Sequence, residues 1–129
     1  MIRLSVIPLK QVGLIEFGMS RAEVRQLADM SYSEFMKAPT SSNLTDDFGA
    51  FHVYYDSNDQ CEAVEVFSEL EVEVMGKLIF PTSLEDALKA LPSLQPDGDG
   101  LISIADSVGV YAPDGKMESI LFGVEGYYR

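Results

Sequence analysis

The sequence predicts an α+β fold in a single domain spanning residues 1–129. Two pseudo-repeats, about 1–67 and 68–129, each read strand, bend, strand, helix, hairpin. Together they form antiparallel sheet with two helices packed on it. Three observations predict this. Most of the chain alternates apolar and polar residues with the two-residue period of strands. Only two stretches combine a serine N-cap with helical spacing. A set of matched residues recurs between the halves. At 129 residues and 47% apolar content, the chain has the size and core-forming material of one globular domain.

Residues 2–17 are rich in Ile, Val, Leu and Phe and are interrupted at Pro8 and Gly13. They read as two short strands or one bent strand. Ser20 followed by Glu23 has the spacing of a capping box, and Val24, Leu27 and Ala28 continue it as one apolar stripe. This helix should fade over residues 30–33. Residues 31–49 are the least patterned stretch, with Pro39, Thr40, Ser41, Ser42 and Asn43 as a loop signal. Residues 51–55 and 61–70 flank Asp56, Ser57, Asn58 and Asp59, which predicts a hairpin. A further strand is expected over 71–80. Ser83 and Asp86 open a second helix, in which Leu84, Ala87, Leu88 and Leu91 fall on one face until Pro92 stops it. Turns at 98–100 and 113–115 separate the last strands, 101–104, 107–111 and 117–124.

The matches between the halves are specific. Gly13, Ile15, Phe17 and Ser20 correspond to Gly76, Leu78, Phe80 and Ser83. Tyr55, Glu62, Val64 and Val66 correspond to Tyr111, Glu118, Ile120 and Phe122. Either a duplicated unit or convergence on one supersecondary pattern produces such matches.

Nine Lys+Arg stand against 21 Asp+Glu, a formal charge of −12. That balance argues against nucleic acid as a direct ligand, since phosphate backbones are bound by lysine and arginine. It argues equally against an anionic membrane surface and points to a basic partner or to solubility. No window is apolar enough to cross a membrane. The opening MIRLSVIPLK does not read as a signal peptide. With Cys61 the only cysteine, no internal disulfide forms, and a cytoplasmic location is expected.

No apparatus for catalysis is recognisable. His52 and Cys61 lie diagonally across the predicted hairpin, but a thiol nucleophile needs direct contact with its base and a third orienting group. The expectation is a protein that is not an enzyme and has no cofactor. Asp97, Gly98, Asp99 and Gly100 resemble the middle of a calcium-binding EF-hand loop. Asp97, Asp99 and Asp106 are the weak metal candidates, with Gln95 in place of the first ligand and Asp106 in place of the terminal glutamate. A glycine–aspartate turn explains the same residues.

Strand parity locates part of the charge. Val64, Val66, Leu70, Val72 and Val74 are even-numbered and should face the core. Glu65, Phe67, Glu69, Glu71 and Glu73 are odd-numbered and should face outward as an acidic ridge with one aromatic anchor. Such a ridge suits either a basic partner or a solvated face that resists edge-to-edge association. A second acidic group is Asp46 and Asp47, joined across the hairpin by Asp56 and Asp59. Tyr127 and Tyr128 either cap the core or add to an interface.

The stretch from Val12 to Val24 resembles the opening G-x-I-x-x-G-M-[ST]-x-x-E-V. That opening recurs in small bacterial domains, including outer-membrane assembly lipoproteins of the BamE type. The lipid-bearing cysteine of those lipoproteins has no counterpart here. Taken whole, the chain is more similar to the small acidic immunity proteins of contact-dependent growth inhibition systems. Some of these resemble the Whirly fold, and some protect against EndoU-like RNase toxins. The resemblance implies a cytoplasmic antitoxin that binds the C-terminal nuclease domain of a toxin and occludes its active site. In that reading Glu65, Phe67, Glu69, Glu71, Glu73, Asp46, Asp47, Asp56 and Asp59 contact a basic protein. The alternative is a small cytoplasmic ligand- or protein-binding regulatory module without catalytic activity.

Overall fold

Valine and isoleucine runs set the strands. The structure, a computed structural model, describes residues 3–36 and 43–128. In chain order the elements are β1 (Arg3–Ile7), β2 (Gln11–Val12), β3 (Ile15–Glu16), α1 (Arg21–Ala28), β4 (Ser33–Met36), β5 (Leu44–Asp47), β6 (Phe51–Tyr55) and β7 (Cys61–Phe67). They continue as β8 (Glu71–Val74), β9 (Lys77–Phe80), α2 (Leu84–Ala90), β10 (Gln95–Asp97), β11 (Gly100–Ser103), β12 (Val108–Tyr111) and β13 (Ser119–Gly123).

The architecture is α+β, with two helices packed on two sheets. A five-stranded sheet has the order β3-β2-β1-β8-β9, and an eight-stranded sheet the order β10-β11-β12-β13-β7-β6-β5-β4. Both sheets are mainly antiparallel. The exception is β1, which runs parallel to β8. The two strands are far apart in sequence, so no tight turn imposes an antiparallel pairing.

The helix starts follow their serine caps. Ser20 accepts from the Glu23 backbone N–H while Glu23 accepts from the Ser20 N–H, a complete capping box. Ser83 accepts from the Asp86 N–H. Val24 and Ala87 are the fully buried contacts of the two helices. Leu27, expected on the buried stripe of α1, is exposed, because an eight-residue helix docks only its central turn.

Two local expectations change. The 31–49 stretch holds β4 and β5, paired with each other. Their short, polar sequences carry no alternation, and neighbouring strands stabilise them. Residues 37–42, with most of the Pro39–Asn43 loop signal, lie outside the described residues. The single strand expected over 71–80 is a tight hairpin. Met75 and Gly76 both take positive φ, as a two-residue turn between right-twisted strands requires.

In the large sheet, β4 to β7 form one meander and β10 to β13 another, and they meet where β7 pairs with β13. Val64 lies opposite Phe122, Glu65 opposite Leu121, and Val66 opposite Ile120. This register is symmetric about Glu65 and Leu121, which stand at the same offset as Val64 and Ile120. The small hairpins correspond less closely. Gly13 directly follows the Val12–Ile15 pair as the first turn residue, whereas Gly76 is the second residue after Val74.

The core lies between the two sheets and the helices. Phe80, Phe122, Ile79, Ile120 and a group of valines are its largest fully buried side chains. The even-numbered residues Val64, Val66, Val72 and Val74 all point into it, while Leu70 packs against its margin.

Candidate functional site

Alternation along β5 sends its two aspartates to opposite faces. Asp46 pairs with Val53, on the core side, and Asp47 pairs with His52, on the outer side. Asp46 is fully buried and faces α1. Its carboxylate accepts from Arg25 Nη2 at 2.7 Å and Nε at 2.9 Å, from Arg21 Nη1 at 3.0 Å, and from the Tyr55 hydroxyl at 2.8 Å. Arg21 also grips Asp59, with Nη2 donating at 2.8 Å, and Arg25 reaches Glu34 at 2.9 Å. Each guanidinium lies on an aromatic ring, Arg21 on Tyr55 and Arg25 on Tyr32. The Arg21 hydrogen bonds hold the Asp59 carboxyl below its usual range. Burial, and then the bond to Asp46, push the Tyr55 hydroxyl far up.

The second acidic group is therefore partly assembled. Arg21 bridges Asp46 and Asp59, and the Asn43 side chain donates to the Asp56 carbonyl. The structure corrects the role of Asp46. Buried and satisfied by two arginines, it ties helix to sheet and offers nothing to a partner. Asp56 organises the hairpin turn by accepting from the Asn58 and Gln60 N–H groups. Asp47 accepts from Gly49 N–H and contacts His52 Nε2 at 3.3 Å.

The predicted ridge divides between the sheets. Glu65 and Phe67 stand on β7 in the large sheet, and Glu71 and Glu73 on β8 in the small one. Glu69 is exposed in the intervening turn. Parity held along each strand, but the turn carries the chain from one layer to the other. Glu71 pairs with Arg3, and Glu73 accepts from the Ser5 hydroxyl at 2.9 Å. Phe67 packs edge-on to His52, with centroids 4.6 Å apart.

Glu65 is the ridge residue that enters a site. On the outer face of the large sheet it lies between His52 and Leu121. Its Oε1 accepts from the Tyr54 hydroxyl at 2.5 Å, and its Oε2 from the Ser119 hydroxyl at 2.7 Å. Each oxygen keeps further acceptor capacity, so the carboxylate is held in place and still able to bind a cation. Burial, and then this bond, raise the Tyr54 hydroxyl far above its usual range, so it remains a donor.

Around Glu65 opens a cleft of about 350 Å³, with Ile102, Gly109, Tyr111, Leu121, Ser119 and Tyr128 among its lining and Asp97 and Asp99 at the β10–β11 turn. Gly109 matters because a Cβ there would stand 2.2 Å from the Tyr128 hydroxyl oxygen, so bare backbone lets that ring lie against the sheet. Tyr127 covers Gly123 in the same way. Three carboxylates and two phenols line it, and among the described residues no lysine or arginine does. Tyr111 entered only as a repeat counterpart of Tyr55, and Ile102, Leu121 and Ser119 were not singled out from the sequence. Their only signal was β-parity, and the strand order that makes them neighbours is non-local.

The other candidates separate. Asp97 and Asp99 sit at one end of β11, whereas Asp106 lies beyond the other end and accepts from the Ser93 hydroxyl. Of the two readings of these residues, the glycine–aspartate turn is the one that forms, as the β10–β11 hairpin. No group of three or more potential metal ligands occurs among the described residues. Cys61 is buried, and burial pushes its thiol up to about 12, opposite to the activation a nucleophile needs. His52 packs among Phe35, Tyr54 and Phe67.

The chain matches no protein-family model, and neither the curated proteins nor the solved structures include a significant match to it. No helix among the described residues is long and apolar enough to cross a membrane.

Proposed function

We propose that the protein is a non-catalytic binding module that neutralises a basic protein partner. One observation carries this: a cleft lined by Glu65, Asp97 and Asp99, walled by Tyr111 and Tyr128, in a chain of net charge −12. A carboxylate pre-oriented by two hydroxyls meets an incoming lysine or arginine with little further ordering. The surrounding charge speeds encounter in a salt-sensitive way. The tyrosines supply rigid contact area at low entropic cost.

The resemblance to immunity proteins of contact-dependent growth inhibition systems supplies the partner: the nuclease domain of a toxin, an EndoU-like RNase in particular, met in the cytoplasm. Carboxylates would then occupy the cleft in which the nuclease binds RNA phosphates. The symmetric β7–β13 register supports reading the two halves as pseudo-repeats, with the β7–β13 seam carrying the binding face.

The test is growth protection. The chain is co-expressed with a panel of basic nuclease toxin domains, EndoU-like RNases included. Protection by the native chain, lost when Glu65→Lys, Asp97→Lys and Asp99→Lys are combined in a variant that keeps its native circular dichroism, supports the proposal. Equal protection by native chain and variant refutes the cleft. Protection against none of the panel refutes the partner class.

A further inference from the structure

The outer face of the large sheet fixes more about the cleft than its charge. Strand pairing sets two rows of residues across that face. Glu65, Leu121 and Gly109 stand opposite one another on β7, β13 and β12. Phe67, Ser119 and Tyr111 form the next row on the same three strands. The phenol end of Tyr128 lies over Gly109, where a Cβ would stand 2.2 Å from its hydroxyl oxygen and 2.8 Å from its Cζ. Tyr111 rises from the same face of β12 two residues further on and is 50% exposed. Residues two apart on a strand are separated by about 7 Å. That is twice an ordinary carbon contact of about 3.5 Å, so one flat group fits between the two tyrosines and touches both.

Glu65 closes one end of this gap. Its Oε1 accepts from the Tyr54 hydroxyl and its Oε2 from the Ser119 hydroxyl. The bond to Ser119 draws the carboxylate from β7 toward β13 and toward the Tyr111 row. From β13 to β12 is one strand spacing, about 5 Å. The two anchoring bonds also decide what the carboxylate can still accept. An ionised carboxylate has about two acceptor sites on each oxygen. One site on each oxygen is filled, and one on each is left. Two parallel N–H donors match that pattern, and a guanidinium supplies them in a rigid planar fork. An ammonium is a compact, strongly hydrated point charge with no such fork. Burial, and then the neighbouring Tyr127 and Glu65, raise the Tyr128 hydroxyl above its usual range, so this ring stays neutral and attracts a cation.

We propose that the cleft selects arginine: one arginine of the partner places its guanidinium between Tyr111 and Tyr128 and donates two hydrogen bonds to Glu65. This assignment rests on the cleft being the site of a basic partner, and narrows that partner to one presenting an exposed arginine. A lysine reaches the same carboxylate but leaves one of its open acceptor sites unfilled. It also gives up the contact of a flat group with both rings.

The test titrates the isotope-labelled full chain with capped Gly-Arg-Gly, Gly-Lys-Gly and Gly-citrulline-Gly, followed by amide NMR. Saturable shifts are expected at Gly109, Tyr111 and Leu121, with the arginine peptide bound roughly tenfold or more tightly than the lysine peptide. Citrulline keeps the shape and loses the charge, and should produce no saturable shift. Glu65→Gln should weaken the arginine peptide by roughly tenfold or more. Tyr111→Leu should remove most of the preference for arginine. Because Tyr111 is half exposed, the urea midpoint of that variant should stay near native, which keeps the test decisive if Glu65→Gln unsettles the sheet. Three results overturn the proposal: lysine bound as tightly as arginine, a preference unchanged in Tyr111→Leu, or no saturable shift at millimolar arginine peptide. If one of these occurs while growth protection is still lost in the combined Glu65, Asp97 and Asp99 variant, the arginine assignment alone falls and the basic-partner reading stands. If protection is absent as well, both fall.

Discussion

Replacing Asp46 by alanine should be the most damaging single change at the helix–sheet junction. The substitution removes a fully buried carboxylate and the acceptor of four hydrogen bonds. Arg21 and Arg25 are left with side chains only 13% and 24% exposed. Breaking a buried ion pair costs about 3–5 kcal/mol. Both arginines retain a second carboxylate, Asp59 and Glu34, which places the arginine contribution near the bottom of that range. The orphaned Tyr55 hydroxyl adds about 1 kcal/mol. The expected loss is therefore about 4 kcal/mol, a large share of the roughly 5–15 kcal/mol that stabilises a typical domain. Urea unfolding measures it as a lower midpoint at unchanged slope. The companion variant Asp59→Ala removes a side chain that is 50% exposed and should cost under about 1 kcal/mol. Equal losses in the two variants, or an Asp46→Ala loss below about 1 kcal/mol, would refute the assignment of Asp46 as the tie between α1 and the large sheet.

Alkaline pH should destabilise the fold. The folded Cys61 thiol is pushed up to about 12, and the Tyr54, Tyr55 and Tyr128 hydroxyls are also raised, chiefly by burial. Between about pH 9 and 12 the unfolded chain has lost protons that the folded chain keeps, so stability falls as pH rises. Urea midpoints from pH 8 to 11 should fall progressively, and a flat profile would contradict the burial. Native Cys61 should also resist alkylation at pH 8 until urea unfolds the chain; labelling at the rate of a free thiol would place it at the surface. Met75→Asn should stabilise by roughly 0.5–1 kcal/mol, because asparagine suits the left-handed first position of this turn and Met75 is 89% exposed; no rise in the urea midpoint would contradict that turn geometry. Gly100→Ala places a Cβ 1.7 Å from the Val110 carbonyl oxygen, so two strands must part. It should cost about 2 kcal/mol or more and shift amide resonances of the β10–β11 hairpin, whereas near-native stability would show that the strands lie further apart there.

Much of the fold was legible because local rules governed it. The caps at Ser20 and Ser83, the valine parity of β7 and β8, and the turn at residues 56–59 each depend on neighbours within a few positions. The β4–β5 pair was not legible, since its strands lack alternation and are stabilised by adjacent backbone. For the candidate site, Glu65 was visible from parity and the β10–β11 aspartates from their turn. That they line one cleft was not, because strands β7, β13, β12, β11 and β10 come together from both halves of the chain. The acidic ridge was drawn as one surface because parity runs unbroken through the turn at 68–70.

The sequence by itself determined the α+β class, the two capped helices, the faces of most strands and an excess of negative charge. These follow from periodicity, capping and composition, which neighbouring residues settle among themselves. Tertiary structure alone decided what each acid does. Asp46 and Asp47 are adjacent and chemically identical, yet one is buried between two arginines and the other stands on the outer face beside His52. Glu65 and Glu71 share a parity, yet one lies in a cleft and the other pairs with Arg3 on a different sheet. The reason is physical: a carboxylate's role depends on which charges and donors surround it in space, and strand order and layer packing bring those from distant parts of the chain.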